Sequence, residues 1–478
     1  MLWLCGLLGI LGGLVALLLI RAAFFRPKAH CSPVSESVDY DREAAVAALQ
    51  QLVQCRTVSH PDPDMEDNSE FERLVGMLPR LYPTVFKNCR FQQLPHRGLL
   101  VHWIGQHHDA PSVMMAHYDV VDVEEAQWEK PPFAGIIEDG VLWGRGTLDT
   151  KATLNGILQA AETLMQEGFV PRQDLYFAFS GSEEINGDGA KEIVDHFRSQ
   201  NIRPALVLDE GGAVVENVFP GVTAPCALIG IAEKGMMNVR FRVHSSGGHA
   251  SAPPTQTPID ILSRACLKLH EHPGPMVLSQ PARELFDTLG RHSRFLYRLI
   301  FSNLWLFRPG LDLLCRIQGG EINALVRTTV AFTQMEGSPG RNVLPANAQM
   351  VANLRLIPGE TPGEVQRRLE RTIDDPRVEV EVLQAFSPSP VSETHCSAYD
   401  RVAEAVEATW PGSIVSPYLM VQCADARHYA GLSDHVYRFC AMALTAEERK
   451  TIHGNNERIR LDAIEKTVEF YIRLMKKC

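Results

Sequence analysis

Residues 175–197 read LYFAFSGSEEINGDGAKEIVDHF. The run 175–180 is short and apolar, as a buried strand is. Glycines and acids then interrupt it, and from Gly189 to Ser199 the apolar residues fall at helical spacing. A strand running through an acidic turn into a helix is the repeating unit of an α/β layer. The same succession recurs nearby. Stretches 99–103, 113–116 and 206–208 read as further buried strands, and 43–53 and 151–168 as helices. Region 41–232 therefore predicts an α/β layer with a mainly parallel central sheet.

The pattern changes after residue 234. Stretch 238–243 (NVRFRV) alternates with period two, 259–270 is amphipathic and helical, and 327–335 and 348–357 look like strands. Strands grouped with helices, without strict alternation, predict a separate α+β insert over 235–356. Pro358-Gly359 and Thr361-Pro362-Gly363 punctuate its end. Helices over 398–410 and 462–475 return the chain to the first domain. The expected organisation is an N-terminal hydrophobic segment (1–30), a linker (31–39), one domain from 40–234 and 357–478, and the insert 235–356.

Composition narrows the function. The 478 residues are 45% hydrophobic and 22% charged, which excludes a disordered or multi-span membrane protein. The formal net charge is −11, with no basic run, so nucleic acid is not an expected partner. The 11 cysteines include no CxxC pair. They read as mostly free thiols, not a cysteine zinc site. Residues 2–20 are uncharged and apolar, long enough to span a bilayer. They fit a retained anchor better than a cleaved signal, because no basic n-region precedes them. Arg21, Arg26 and Lys28 follow and by the positive-inside rule would hold the next domain in the cytosol, so orientation stays open; the expected protein is membrane-anchored or secreted.

The chemistry gathers at strand ends. Stretch 113–116 runs into His117-Tyr118-Asp119, 176–180 into Glu183-Glu184, and 205–208 into Asp209-Glu210. Trp143-Gly-Arg-Gly-Thr-Leu148 runs into Asp149, and Thr451-Ile-His453-Gly454 adds a second imidazole. Open parallel sheets build their sites at the carboxyl ends of strands. Imidazoles with carboxylates suit Zn²⁺, and this many candidates favour two ions sharing a bridging carboxylate. In His-x-Asp on a strand both side chains share a face, so Asp119 can orient His117. Of Glu183 and Glu184, one can bind metal while its neighbour acts as general base.

Seven segments together resemble the aminoacylase/carboxypeptidase S family of co-catalytic zinc peptidases. They are MMAHYDVV (114–121), WGRGTLDTK (143–151), SGSEEINGDGA (180–190), LVLDEGG (206–212), SSGGHASAPP (245–254), RNVLPANAQMVANLRLIPG (341–359) and TIHGNNERI (451–459). Stretches EKGMMN (233–238) and SNLWLF (302–307) resemble the branch that handles N-fatty-acyl amino acids. The resemblance implies that His117, Asp149 and Asp209 bind one Zn²⁺. Asp149, Glu184 and His453 would bind the other, with Asp149 bridging. It makes Glu183 the general base and Asp119 the residue that orients His117. It makes 235–356 a lid and dimerisation module. In that lid His249 would polarise the scissile carbonyl, Arg355 would grip the substrate carboxylate and Asn323 would bind substrate. Asp149-Thr150-Lys151 departs from the family's usual Asp-Asp-Lys.

The expected activity is zinc-dependent cleavage, or the reverse formation, of the amide bond in N-acyl amino acids. The alternatives are a carboxypeptidase or dipeptidase on short peptides, and a non-catalytic binding protein on the same fold. The apolar stretch 295–314 reads either as a groove for a long acyl chain or as lid core and dimer interface.

Overall fold

The computed structural model of the chain describes residues 2–27 and 37–478. Lys28 and positions 31–36 of the expected linker lie outside the described residues.

An eight-stranded sheet forms the body. Its spatial order is Arg90–Leu94, Gly98–Trp103, Gln173–Ser180, His107–His117, Leu206–Val215, Val436–Leu444, Cys226–Glu233, Ile414–Met420. The four central strands run parallel to one another. Antiparallel neighbours flank them, so the sheet is mixed and mostly parallel. The α/β expectation therefore holds. The strands predicted over 99–103, 113–116, 175–180 and 206–208 are all present, the last extended to Val215.

Helices cover both faces, which is why the central strands are apolar throughout and do not alternate. Lys151–Gln166 lies between the sheet and the helices Arg42–Val53 and Leu461–Met475. Its residues are buried from Lys151 to Leu164. Gly156 permits the closest approach, since a Cβ there would meet Thr467 Cγ2 at 2.5 Å. Helix Gly189–Ser199 packs on the opposite face through Ile193, Val194 and Phe197.

A second core surrounds a four-stranded antiparallel sheet of Thr329–Glu336, Asn347–Leu356, Gly235–His244 and Glu379–Phe386. Helices Pro258–Glu271 and Pro362–Ile373 pack against it through Leu262, Ala265, Val365 and Leu369. This corrects the expected insert of 235–356 in two ways. The unit continues through Glu379–Phe386, because that strand completes the sheet edge beside Gly235–His244. Leu285, Phe286, Leu289, Phe301, Leu311 and Cys315 leave it and join the core of the large body.

The N-terminal helix Leu2–Phe24 is long and apolar enough to cross a membrane. Its hydrophobic side chains are exposed along most of its length. The cysteines of the described residues are all free thiols.

Candidate metal centre

Because the central strands are parallel neighbours, their carboxyl ends share one edge, and the candidate ligands meet there. His117 is the last residue of its strand. Glu183 and Glu184 begin the turn after Ser180, and Glu210 lies within Leu206–Val215. Asp149 precedes the helix Lys151–Gln166, and the Asp149–Thr150 peptide is cis.

His117 Nε2 lies 2.8 Å from Asp149 Oδ1 and 3.5 Å from Glu210 Oε2. His453 Nε2 lies 3.0 Å from Asp149 Oδ2 and 3.1 Å from Glu184 Oε2. Each oxygen of Asp149 thus faces a different imidazole. Two sets of donor atoms lie within 4.8 Å of one another, His117–Asp149–Glu184 and His117–Glu183–Glu210. His453 reaches its partners from a loop in which its own φ is +57°, a conformation uncommon for a side-chain-bearing residue.

Asp119 organises this edge without entering it. His117 Nδ1 donates to the Asp119 backbone carbonyl at 2.9 Å and stands 3.4 Å from its carboxylate, which leaves Nε2 as the free donor atom. The Asp119 carboxylate is fully buried and accepts from Ser59 Oγ at 2.7 Å. It also accepts from the backbone N–H groups of Glu183 and Glu184, each at 3.1 Å. One carboxylate therefore fixes both the ring and the turn that carries the paired glutamates.

Asp209, expected as a ligand, is held by backbone hydrogen bonds. Its Oδ1 accepts from the Glu210 N–H at 2.9 Å and its Oδ2 from the Ala426 N–H at 2.7 Å. It belongs to neither donor set, and its neighbour Glu210 turns into the centre instead. Asp209 pairs with Arg438 and Gly212 with Phe439, so Glu210 and Gly211 bulge from the ladder, which lets Glu210 turn to His117. Close packing shapes the strand here, since a Cβ on Gly212 would stand 1.7 Å from the Leu228 carbonyl oxygen.

Sequence reasoning also missed Glu457. It is fully buried, and its carboxylate accepts from Leu148 N at 2.7 Å, Asp149 N at 3.2 Å and Gly146 N at 3.1 Å. Arg145 Nη1 completes the set at 2.7 Å. The loop that presents Asp149 is wrapped round this carboxylate. Asp425 was passed over as well; buried, it bonds Ser180 Oγ.

The electrostatics call for cations. Burial pushes the Glu210 carboxyl up to about 8, with Asp149 and Asp209 adding to the effect against His117. Burial together with Glu210 raises Glu183 well above the carboxylate range. Burial alone would hold His117 down, but Glu210, Asp119 and Asp149 raise it well above its ordinary value. Hydrogen bonds to Asp149 and Glu184 push His453 up to about 10. Nearby buried cations are engaged elsewhere: Lys151 Nζ donates to the carbonyls of Leu52 and Cys55, and Arg145 serves Glu457. Four carboxylates and two imidazoles with no lysine or arginine among them fit divalent metal.

The insert residues make no hydrogen bond or ion pair to this cluster among the described residues. His249 is exposed in the short strand Gly248–His249, and its Nδ1 bonds Ser251 Oγ at 2.7 Å. Arg355 is half-buried and donates to Asn353 Oδ1 at 3.1 Å and Cys423 Sγ at 3.0 Å. No carboxylate among the described residues is in ion-pair reach of it. Asn323 Oδ1 accepts from Arg327 Nε at 2.7 Å, so its amide braces a buried arginine. Burial pushes the Cys423 thiol up to about 11.

A cavity of about 470 Å³ opens beside Phe219, Leu228, Phe286, Leu289, Leu325 and Arg449. Arg449 belongs to the short helix Ala446–Thr451, which leads directly into His453. The stretch 295–314 does not line this cavity.

A family model for peptidase family M20/M25/M40 matches residues 113–477. The chain is 36% identical to the N-fatty-acyl-amino acid synthase/hydrolase PM20D1 of Xenopus tropicalis, over 97% of this chain and 92% of that one. It is 34% identical to a probable carboxypeptidase S-like protein of Dictyostelium discoideum, over 88% and 82%. In fold it is similar to an M20 family metallo-carboxypeptidase from Sulfolobus solfataricus, with TM-score 0.67 and 15% identity over 90% of this chain and 98% of the other. Human carnosine dipeptidase 1 follows, with TM-score 0.65 and 14% identity over 91% and 96%.

Proposed function

The chain belongs to peptidase family M20/M25/M40 and is a hydrolytic enzyme acting on amide bonds, and from that premise we propose that it is a di-zinc amidohydrolase of N-fatty-acyl amino acids. The observation that carries the two-ion reading is the Asp149 carboxylate, with one oxygen at His117 and the other at His453. His117, Asp149 and Glu210 would hold one Zn²⁺, and Asp149, Glu184 and His453 would hold the second. Bound there, the ions supply Lewis acidity and lower the pKa of water towards neutrality.

The protein's own residues do the rest. Glu183 takes the proton of the attacking water and returns it to the leaving amine. Arg355, with no carboxylate in ion-pair reach among the described residues, pairs with the amino-acid carboxylate. Below pH 7 Lys234 adds positive charge beside it. His249 joins the site when the insert closes over the substrate and donates to the developing oxyanion. The acyl chain runs towards the cavity at Phe219, Phe286 and Leu289. Formation of the amide uses the same groups in reverse.

Hydrolysis of N-oleoyl-phenylalanine and of Gly-Leu by the zinc-loaded full chain tests this. The acyl amino acid is expected to be the faster substrate. Faster cleavage of Gly-Leu would favour the dipeptidase or carboxypeptidase reading, which the Dictyostelium relative supports.

A further inference from the structure

Helices Phe295–Phe301 and Leu304–Gln318 turn much of their apolar surface outward. Leu296 is 67% exposed, Trp305 58%, Leu313 59% and Ile317 77%. At 3.6 residues per turn, Leu306, Leu313, Leu314 and Ile317 fall within about 100° of arc. The buried Leu311 and Cys315 point to a different side. Leu304–Gln318 thus has two apolar faces, one packed into the body and one bare. A bare patch of this size marks an interaction surface.

Two observations identify what covers it. The first is the N-terminal helix, whose last turns dock into the elbow between these helices. Arg21 Nε and Nη2 donate to the Ser302 carbonyl at 3.1 and 2.9 Å. Asn303 Nδ2 donates to the Leu18 carbonyl at 3.2 Å. The Arg291 guanidinium lies over the Phe25 ring at 4.5 Å. The uncharged run 2–20 is roughly 28 Å long as a helix, close to the thickness of a bilayer's hydrocarbon core. Arg21 is the first charge after it. The elbow at Ser302–Asn303 therefore stands at the membrane boundary whenever that helix spans a bilayer.

The second is charge. Segment 294–318 carries Arg294, Arg298, Arg308 and Arg316 against Asp312 alone, 4 − 1 = +3, in a chain of net −11. Basic charge beside exposed Trp305, Tyr297, Phe295 and leucines is the composition of a helix that lies in the headgroup layer. A second copy docked face to face would set one +3 segment against another.

We propose that segment 294–318 lies on the surface of an anionic lipid bilayer that the N-terminal helix spans. The protein then meets the membrane at two places, and its catalytic body has a fixed orientation to it. The cavity begins at Gln318, one residue past Ile317. The cavity thus opens next to the membrane-facing helix, where a long acyl chain leaving the bilayer would meet it; this link rests on the proposed function, whereas the membrane contact does not.

Brominated acyl chains quench tryptophan within the bilayer and provide the test. The full chain is reconstituted in phosphatidylcholine–phosphatidylserine vesicles, with and without brominated lipid. Trp3→Phe removes the tryptophan of the spanning helix. In that variant a fraction of the remaining emission is expected to be quenched, and adding Trp305→Phe should abolish it. Leu313→Glu with Ile317→Glu should lower the same quenching while circular dichroism is unchanged. A Trp3→Phe protein with no quenching would overturn the proposal. So would an intact mass lacking residues 2–20, or a cross-linked dimer that shields Trp305. No turnover is read, so this failure is separate from failure of the proposed activity.

Discussion

Glu210 Oε2 stands 3.5 Å from His117 Nε2, whereas its neighbour Asp209 gives both carboxylate oxygens to backbone N–H groups. The two residues should therefore separate by experiment. Glu210→Ala is expected to lower bound zinc from about two ions to about one per chain, with activity falling at least about 100-fold. Asp209→Asn should keep its zinc and lose about 1–3 kcal/mol of stability, since an amide cannot accept both N–H groups. Elemental analysis with urea unfolding checks both. Zinc loss in Asp209→Asn would restore Asp209 as a ligand.

Asp209 also marks where sequence reading stops. The run 206–208 and the acids after it were legible as a strand feeding a site. Which of two adjacent acids turns to His117 depends on a bulge in the pairing with Val436–Leu444, and the dipeptide does not encode that bulge. His117, Asp149, Glu183, Glu184 and His453 were readable because each follows a strong local signal, a strand end or a turn. Glu457 was not, because its work is to accept the Asp149 N–H from 308 positions away. The insert was read from its alternating strands, yet the Leu285–Cys315 side chains that join the large body carry the same apolar periodicity as lid core. Periodicity reports that a face is buried, not against what.

Asp119 acts through others, holding the His117 ring and the Glu183–Glu184 turn. Asp119→Asn preserves volume but replaces an acceptor oxygen with a donor facing those N–H groups. A fall of about 10–100-fold in kcat is expected, as for other residues that position metal ligands. KM for the acyl amino acid should change much less. Steady-state kinetics with zinc content measured in parallel checks this. An unchanged kcat would remove Asp119 from the positioning role.

Glu183→Gln isolates proton transfer. The glutamine keeps the shape of the side chain and cannot carry the proton from water to amine. Turnover is expected to fall by about 100-fold or more, with zinc near the wild-type content. Loss of one ion would instead make Glu183 a ligand, a role its place beside His117 and Glu210 also permits. Normal turnover would sink the base assignment outright.

Lys234 offers a test of electrostatics away from the metal ligands. Its ammonium is buried and donates to the Ala324 and Arg327 carbonyls at 3.0 and 2.8 Å. Burial, with Arg355 adding repulsion, lowers its pKa from 10.5 to about 7. Below pH 7 both folded and unfolded chains hold this proton, so the penalty for burying the charge is fully present and constant. Between pH 7 and 10.5 the unfolded chain keeps the proton and the folded chain releases it. The unfolded state then binds more protons, so stability rises with pH, by up to about 1.4 kcal/mol per unit. Lys234→Met lacks this titration and fills a similar volume. Wild type should therefore gain on the variant as pH is raised from 7 to 9.5, read by urea unfolding of both proteins in matched buffers. A carboxylate ligand held at Arg355 offsets part of the repulsion, so added phenylalanine should move the onset of the gain to higher pH. A wild-type-minus-variant difference that stays flat across this range would show that Lys234 remains charged in the folded protein.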